Sequence, residues 1–318
     1  MVDEERAESL ADLGEFAVID RLVSGRDQPA TVVVGPGDDA AVVSAADGRI
    51  VVSTDMLVED RHFRLDWSTP RDVGRKAIAQ NAADIEAMGA VSTSFVVGFG
   101  APGNTAARDV TALSDGMWQE ANAIGAGIVG GDLVSAPQWV ISVTALGDLG
   151  GREAVLLSGA MPGDTLAVRG DIGWSAAGYA VLLNGIGDFA ALRARHRVPE
   201  PPYGQGRVAA DAGATSMTDV SDGLLADLGH VASASNVGID VSRDALGVDH
   251  DALSAAAGVL KTDPWVWVLA GGEDHALVAT FPGSPPAGWR VIGRVVDGPP
   301  RVLLDGERWH GDTGWESF

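Results

Sequence analysis

Residues 69–89 read TPRDVGRKAIAQNAADIEAMG, and the fold reading starts there. Thr69 is a good N-cap, Pro70 suits the first helical position, and Asp72 complements the dipole of the first turn. Val73, Ala77, Ile78, Ile85 and Met88 recur at helical spacing, and Gly89 stops the helix. On the N-terminal side, 31–34, 40–44 and 49–54 read as short Val-rich strands separated by Gly/Asp turns. On the other side follow a strand over 94–99, a helix over 105–124, and strands over 127–129 and 139–146. The polar, Gly-rich junction 147–151 is the expected boundary between domains 1–148 and 149–318. Alternation resumes beyond it, with strands over 165–168, 216–218, 239–242, 275–280 and 290–296 and helices over 174–183, 204–212 and 224–235. The Pro-rich stretch 198–203 reads as a loop. The expected class is α/β (α+β) in two domains.

Composition narrows the function. The 318 residues carry a net charge of −22, which argues against a nucleic-acid surface and against docking on anionic lipid. There are no cysteines, so disulfides, thiolate metal sites and cysteine nucleophiles are excluded. The two lysines, Lys76 and Lys261, do not sit in a P-loop pattern. The acidic start of the chain does not resemble a signal peptide, and the longest uncharged stretch, 172–187, is too short and polar to span a bilayer. A cytoplasmic location is expected, with no nucleic-acid or membrane partner.

The informative feature is where the Asp residues fall. Gly37-Asp38-Asp39, Ser53-Thr54-Asp55, Asn81 to Asp84, Gly130-Gly131-Asp132, Asp219-Val220-Ser221-Asp222-Gly223 and Gly271-Gly272-Glu273-Asp274 share one design. Each sets a carboxylate beside Gly or a small hydroxyl or amide residue, at an expected strand end or helix start. Hard oxygens suit Mg²⁺, which takes few carboxylates per ion and completes its shell with water and phosphates. Any one Asp-Gly pair taken alone reads as a turn, and Asp222 reads equally as a helix cap or a ligand. Asp84 is harder to explain that way: it lies three residues after Asn81 on the same face of an Ala/Ile-rich helix, where a buried carboxylate is expensive without a cation. The six histidines show neither metal spacing nor visible pairing with Ser, and His230 and His275 read as structural. Lys76 reads as a carboxylate partner or a snorkelling side chain.

In this order and spacing the blocks resemble the thiamine-monophosphate kinase family of the aminoimidazole-ribonucleotide-synthetase-like superfamily. The resemblance runs from Gly14-Glu15-Phe16 to Gly314-Trp315 and includes His62-Phe63, Gly151-Arg152 and Asp227-Leu228-Gly229-His230. It implies a two-domain kinase fold with the N-terminal domains paired in a homodimer. It also implies direct in-line phosphoryl transfer from ATP to thiamine monophosphate with several Mg²⁺ ions. By the same resemblance Asp39, Ser53, Thr54, Asp55, Asp84, Asp132, Asp219 and Asp222 surround the metals, with Asp84, Asp132 and Asp222 central to catalysis. Gly131, Asp132, Arg152 and Ser221 match ATP-contacting positions; His62, Glu273 and Trp315 match positions near the thiamine substrate. The chain departs from the family pattern at Leu133-Val134, where many members carry two Thr, and at Pro202, where many carry Arg.

Phosphoryl transfer between phosphates asks for alignment and charge neutralisation rather than a strong base. Two other readings are a purine-biosynthesis synthetase of the same superfamily and a non-catalytic Mg-nucleotide-binding regulator. The selenophosphate-making and hydrogenase-maturation branches each need a cysteine or selenocysteine that this chain lacks.

Overall fold

The computed structural model describes residues 8–13, 15–35 and 41–314. Of the expected site residues, Asp39 and Trp315 lie outside that range. Two compact units form. One comprises the residues up to Asn81 together with Ser92–Asp148; the other comprises Ala82–Val91 and the residues from Leu149 onward.

The first unit begins with helices α1 (Leu10–Leu13) and α2 (Glu15–Val23) and a small antiparallel pair, β1 (Val32–Val34) with β2 (Val42–Val43). Then come β3 (Val51–Val58), α3 (Pro70–Ala87), β4 (Val91–Ala101), α4 (Ala107–Ala123), β5 (Gly127–Ser135) and β6 (Val140–Asp148). The strands β4, β5 and β6 with β3 make a sheet of order β3-β6-β4-β5, β3 antiparallel to β6 and β4 parallel to β5. Helix α3 starts as its sequence dictates. Thr69 Oγ1 accepts from Asp72 N, and Asp72 Oδ2 accepts from Thr69 N, a reciprocal capping box. The helices α3 and α4 cross on glycines: a Cβ at Gly74 would stand 2.0 Å from the Leu113 carbonyl oxygen, and one at Gly116 2.0 Å from that of Arg71. No other residue allows backbones so close.

Two strands run longer than the sequence suggested. β3 continues to Val58 because Met56 and Val58 stay paired with Ser142 and Val140, and β5 continues to Ser135 beside β4. Asp55 and Asp132 therefore sit inside strands, not at strand ends.

The second unit holds β7 (Thr165–Arg169), α5 (Trp174–Leu183), α6 (Ala190–Arg197), α7 (Gln205–Asp211), β8 (Ser216–Asp219), α8 (Leu224–Ser235) and β9 (Gly238–Val241). It ends with α9 (Gly247–Leu260), α10 (Pro264–Ala270), β10 (Leu277–Phe281), β11 (Arg290–Val296) and β12 (Arg301–Leu304). Its six strands order as β12-β9-β11-β7-β10-β8, antiparallel except for β12 beside β9. Leu166, Ile172, Leu224, Leu228, Ile239, Val268 and Ile292 are among the fully buried side chains of its core. The sequence reading has no counterpart for α6, α9, α10 or β12.

Candidate active site

In the second unit, two loops stand back to back. One is the turn from β8 into α8, residues 219–223; the other, residues 271–276, joins α10 to β10. Glu273 N donates to Ser221 O at 2.7 Å, His275 N to Val220 O at 2.8 Å, and Val220 N to Ala276 O at 2.8 Å. Glycine makes the contact possible. A Cβ at Gly272 would lie 2.6 Å from Ser221 O, and Gly223, at φ +131°, has Ala270 O 2.8 Å from where a Cβ would be. Glu273 and His275 themselves adopt left-handed φ values of +64° and +55°. Such conformations in non-glycine residues persist only where surrounding contacts enforce them.

This brace places charge. His275 Nδ1 lies 2.9 Å from Asp219 Oδ2, and both side chains are buried. Burial opposes the charged form of His275. The hydrogen bond and charge of Asp219, together with the charges of Asp84 and Glu273, nevertheless hold its pKa above the ordinary histidine value. Asp227 Oδ2 reaches back to accept from Asp222 N and Gly223 N at 3.1 and 3.0 Å. Asp227 thus ties down the turn that enters α8, whose N-cap position is Gly223. Burial first, then the charges of Asp219 and Asp222, push the Asp227 carboxyl up to about 7. Ligand atoms of Asp222, Asp227 and His230 lie within 4.8 Å of one another. Asp274 is used differently: it accepts from Gly173 N and Ser175 N at the start of α5, and burial raises its pKa to about 7. Glu273 Oε2 stands 3.5 Å from His196 Nδ1, which also meets Ser175 Oγ at 3.2 Å. A histidine does pair with a serine here, although their 21-residue separation hid it in the sequence. Arg152 is held by Asp211 through Nε at 2.6 Å and Nη2 at 3.2 Å. Ser221 meets Glu273 through its main-chain carbonyl.

In the first unit, Asp55 N donates to Asn81 Oδ1 at 3.0 Å, and Gln80 Nε2 donates to Asp55 Oδ2 at 3.3 Å. Strand alternation puts Ser53 and Asp55 on one face of β3 and Thr54 on the other. The Thr54 hydroxyl donates to Val143 O and meets Thr144 Oγ1, so only its main chain can serve the Ser53/Asp55 face. His62 Nδ1 accepts from Val58 N at 3.0 Å, which puts the proton of a neutral ring on Nε2; its carbonyl accepts from the buried Lys76 Nζ. Asp132 is exposed and accepts from Leu133 N. Gly131 has a packing reason to be glycine: its Cβ would stand 2.1 Å from Val97 O. His275, read from the sequence as structural, and Asp227, quoted only within a matching block, are the residues to which sequence reasoning gave no role at the site. Asp227 could have been found from its place in the first turn of α8; nothing local to His275 announces its partner.

Residues 37–149 match the family described as AIR synthase related protein, N-terminal domain. The chain is 71% identical over 310 residues to the thiamine-monophosphate kinase of Mycobacterium tuberculosis H37Rv, covering 98% of this chain and 93% of that protein. It is 45% identical over 320 residues to that of Corynebacterium glutamicum, covering 98% and 95%. Among solved structures it superposes on AaThiL complexed with AMPPCP and TMP at a TM-score of 0.79, with 28% identity and coverage of 96% and 98%.

Proposed function

This chain belongs to the thiamine-monophosphate kinase family, and from that membership we propose a direct, in-line transfer of the ATP γ-phosphoryl group. The protein is an ATP-dependent phosphotransferase that converts thiamine monophosphate to thiamine diphosphate. An oxygen of the thiamine phosphate attacks the γ-phosphorus, the bond from that phosphorus to the β–γ bridging oxygen breaks, and ADP leaves with the electron pair. The nucleophile is already anionic, so no strong base is needed.

The observation that carries the reading is the carboxylate cluster at the two braced loops, where Asp222, Asp227 and His230 bring ligand atoms within 4.8 Å of one another and burial first, then the charges of Asp219 and Asp222, raise Asp227. Crowded hard oxygens of like charge fit a divalent cation. Asp84, Asp219 and Asp222 would hold Mg²⁺ there; Asp39, Ser53, Asp55, the Thr54 main chain and Asp132 are the proposed Mg²⁺ ligands of residues 1–148. Bound Mg²⁺ supplies neutralisation of phosphate charge. Gly131, Asp132, Arg152 and Ser221 are the proposed ATP contacts; His62, Glu273 and Trp315 are the proposed contacts to thiamine monophosphate. We assign ATP binding and dimerisation to residues 1–148 and the rest of the site to 149–318. The exposed Val52 and Met56 beside Thr54 leave one face of β3 open to a second copy. No helix among the described residues is long and apolar enough to cross a membrane; the cytoplasmic place is part of the proposal.

The test is product chromatography after incubation with Mg²⁺-ATP. Thiamine monophosphate should become the diphosphate while free thiamine stays almost untouched. Turnover of thiamine without turnover of the monophosphate would overturn the reading.

A further inference from the structure

Glu86 is a buried carboxylate to which the reaction gives no task. It sits on α3 two residues after Asp84, between the buried Ile85 and Ala87, where an unbonded charge is strongly disfavoured. Both of its oxygens are used: Oε1 accepts from Gly204 N at 2.7 Å and Oε2 from Gly206 N at 2.9 Å. Gly204 is the N-cap of α7 and Gly206 its second residue. A carboxylate from one helix therefore supplies the acceptors that the start of another lacks. Two N–H donors on two oxygens fit the ionised form.

The backbones meet there as well. A Cβ at Gly206 would stand 1.9 Å from Glu86 O, so glycine is what lets α7 lie against the last turn of α3. Gly89, at φ +73°, follows the helix so closely against α7 that a Cβ on it would lie 3.0 Å from the Ala210 Cβ. Val155 N donates to Met88 O at 3.1 Å, and Ala87, Val155 and Ala209 of α7 share one buried cluster. All of these residues belong to the second unit. At 3.6 residues per turn, two residues apart stand about 200° apart around the helix axis. Asp84 therefore faces away from the α7 anchor, and its charge acts on His275.

We propose that Glu86 is a positioning residue for the metal: by anchoring the end of α3 to the start of α7, it fixes the rotation and depth at which α3 presents Asp84 to the Asp219–His275 cluster. Glu86 needs to touch neither Mg²⁺ nor substrate. The proposal rests on the reading of Asp84 as a Mg²⁺ ligand. A helix that carries one ligand on one face must be held from the other, or the ligand moves whenever the helix turns or slides. The two amides at Glu86 oppose rotation, and the close contact at Gly206 sets the depth.

The test reads anchor and metal separately, by hydrogen exchange and by calorimetric titration with Mg²⁺ alone, on the full chain. In the wild type, Mg²⁺ should slow exchange of the Gly204 and Gly206 amides at least about 5-fold more than that of Asp305, because coupling between two sites is reciprocal. The Asp305 amide donates to Val241 O at the β12 edge of the sheet, the edge opposite β8. Asp84→Asn should abolish that difference. Glu86→Gln keeps the size of the side chain but offers one acceptor oxygen to two amides. It should weaken Mg²⁺ binding at least about 5-fold, and raised Mg²⁺ should restore most of kcat. Gly206→Ala, which pushes α7 off the Glu86 carbonyl and leaves the carboxylate intact, should repeat the pattern. The double variant of Asp84→Asn with Glu86→Gln should bind Mg²⁺ no worse than Asp84→Asn, since both act through one ligand. If Asp84→Asn weakens Mg²⁺ binding and Glu86→Gln does not, the anchor is overturned and the reading of Asp84 stands. If Asp84→Asn leaves Mg²⁺ binding unchanged, that reading falls and the anchor's role with it. Additive losses in the double variant also overturn the proposal. So does wild-type exchange at Gly204 and Gly206 that Mg²⁺ slows no more than at Asp305, a result that needs no variant to fold.

Discussion

His275 Nδ1 donates to Asp219 Oδ2 across 2.9 Å inside the second unit, joining residues 56 apart in the chain. Both are buried, so neither can exchange its partner for water. Leaving a buried carboxylate without its cationic partner costs about 3 kcal/mol. We expect His275→Phe to lower the melting temperature and to reduce kcat at least about 10-fold, because Asp219 loses the contact that orients it. His275→Asn tolerates the left-handed φ at this position and keeps a donor, so it should recover part of both losses. Thermal melts and steady-state kinetics check this; a His275→Phe protein with native kcat would remove His275 from any role at the site.

The metal set makes a sharper demand. Asp84→Asn and Asp222→Asn should each lower kcat at least about 100-fold, since one preorganised charge is worth roughly 3 kcal/mol. Without ligands, stability should hold or rise slightly, because one of several crowded like charges is gone. Kinetics across a range of Mg²⁺ concentrations, with melts of the ligand-free proteins, test both halves. Near-native turnover in both variants would reduce these carboxylates to turn residues.

Asp227 gives a pH signature. Its carboxyl, ordinarily near 3.8, titrates at about 7 in the folded protein. Between those values the folded state holds a proton that the unfolded state has released, so stability falls as pH rises through the window from about 4 to 7. The contribution is fully present below that window and lost above it. In the metal-free protein, Asp227→Asn should flatten this part of the stability–pH curve, since Asn can still accept from Asp222 N and Gly223 N. Asp222→Asn, which removes one of the charges acting on Asp227, should shift the fall to lower pH. Denaturant melts across the window decide it; parallel curves for wild type and Asp227→Asn would mean that the carboxyl is not perturbed.

How much of this was legible depends on how local the cause is. Helix α3 was readable because its cap, its apolar spacing and its stop all lie within 69–89. Helices α5 and α8 and strand β11 fell where their apolar patterns put them. Helix α6, sequence AALRARHR, buries only Leu192 and His196, so it shows no apolar stripe. Helix α9 buries Asp249, which is matched by Arg290 at 2.6 Å, a partner 41 residues away. The site divides the same way. Asp clusters beside glycine are visible in the sequence, but which carboxylate meets which histidine depends on two loops brought together by the sheet. The Thr54 hydroxyl turned away from Ser53 and Asp55 because β3 ran on past Thr54 with a period of two.

Arg152 offers the last test. Its guanidinium is engaged by the Asp211 carboxylate through two nitrogens, and that hydrogen bond and charge raise its pKa and lower that of Asp211. The pair is exposed to solvent, where such contacts are screened and add little to stability. A phosphate oxygen could therefore compete for the same fork of donors at small loss. If Arg152 serves ATP, Arg152→Ala should raise the KM for ATP with thiamine monophosphate affinity and melting temperature nearly unchanged. Arg152→Lys should recover little, because a single ammonium does not reproduce the two-nitrogen contact. Asp211→Asn releases the guanidinium from its competitor, so the KM for ATP should hold or fall, most visibly at low salt. Nucleotide titrations of the three variants at two ionic strengths distinguish the cases. If Arg152→Ala and Asp211→Asn both leave ATP binding untouched, the pair is a surface contact and the nucleotide is held elsewhere.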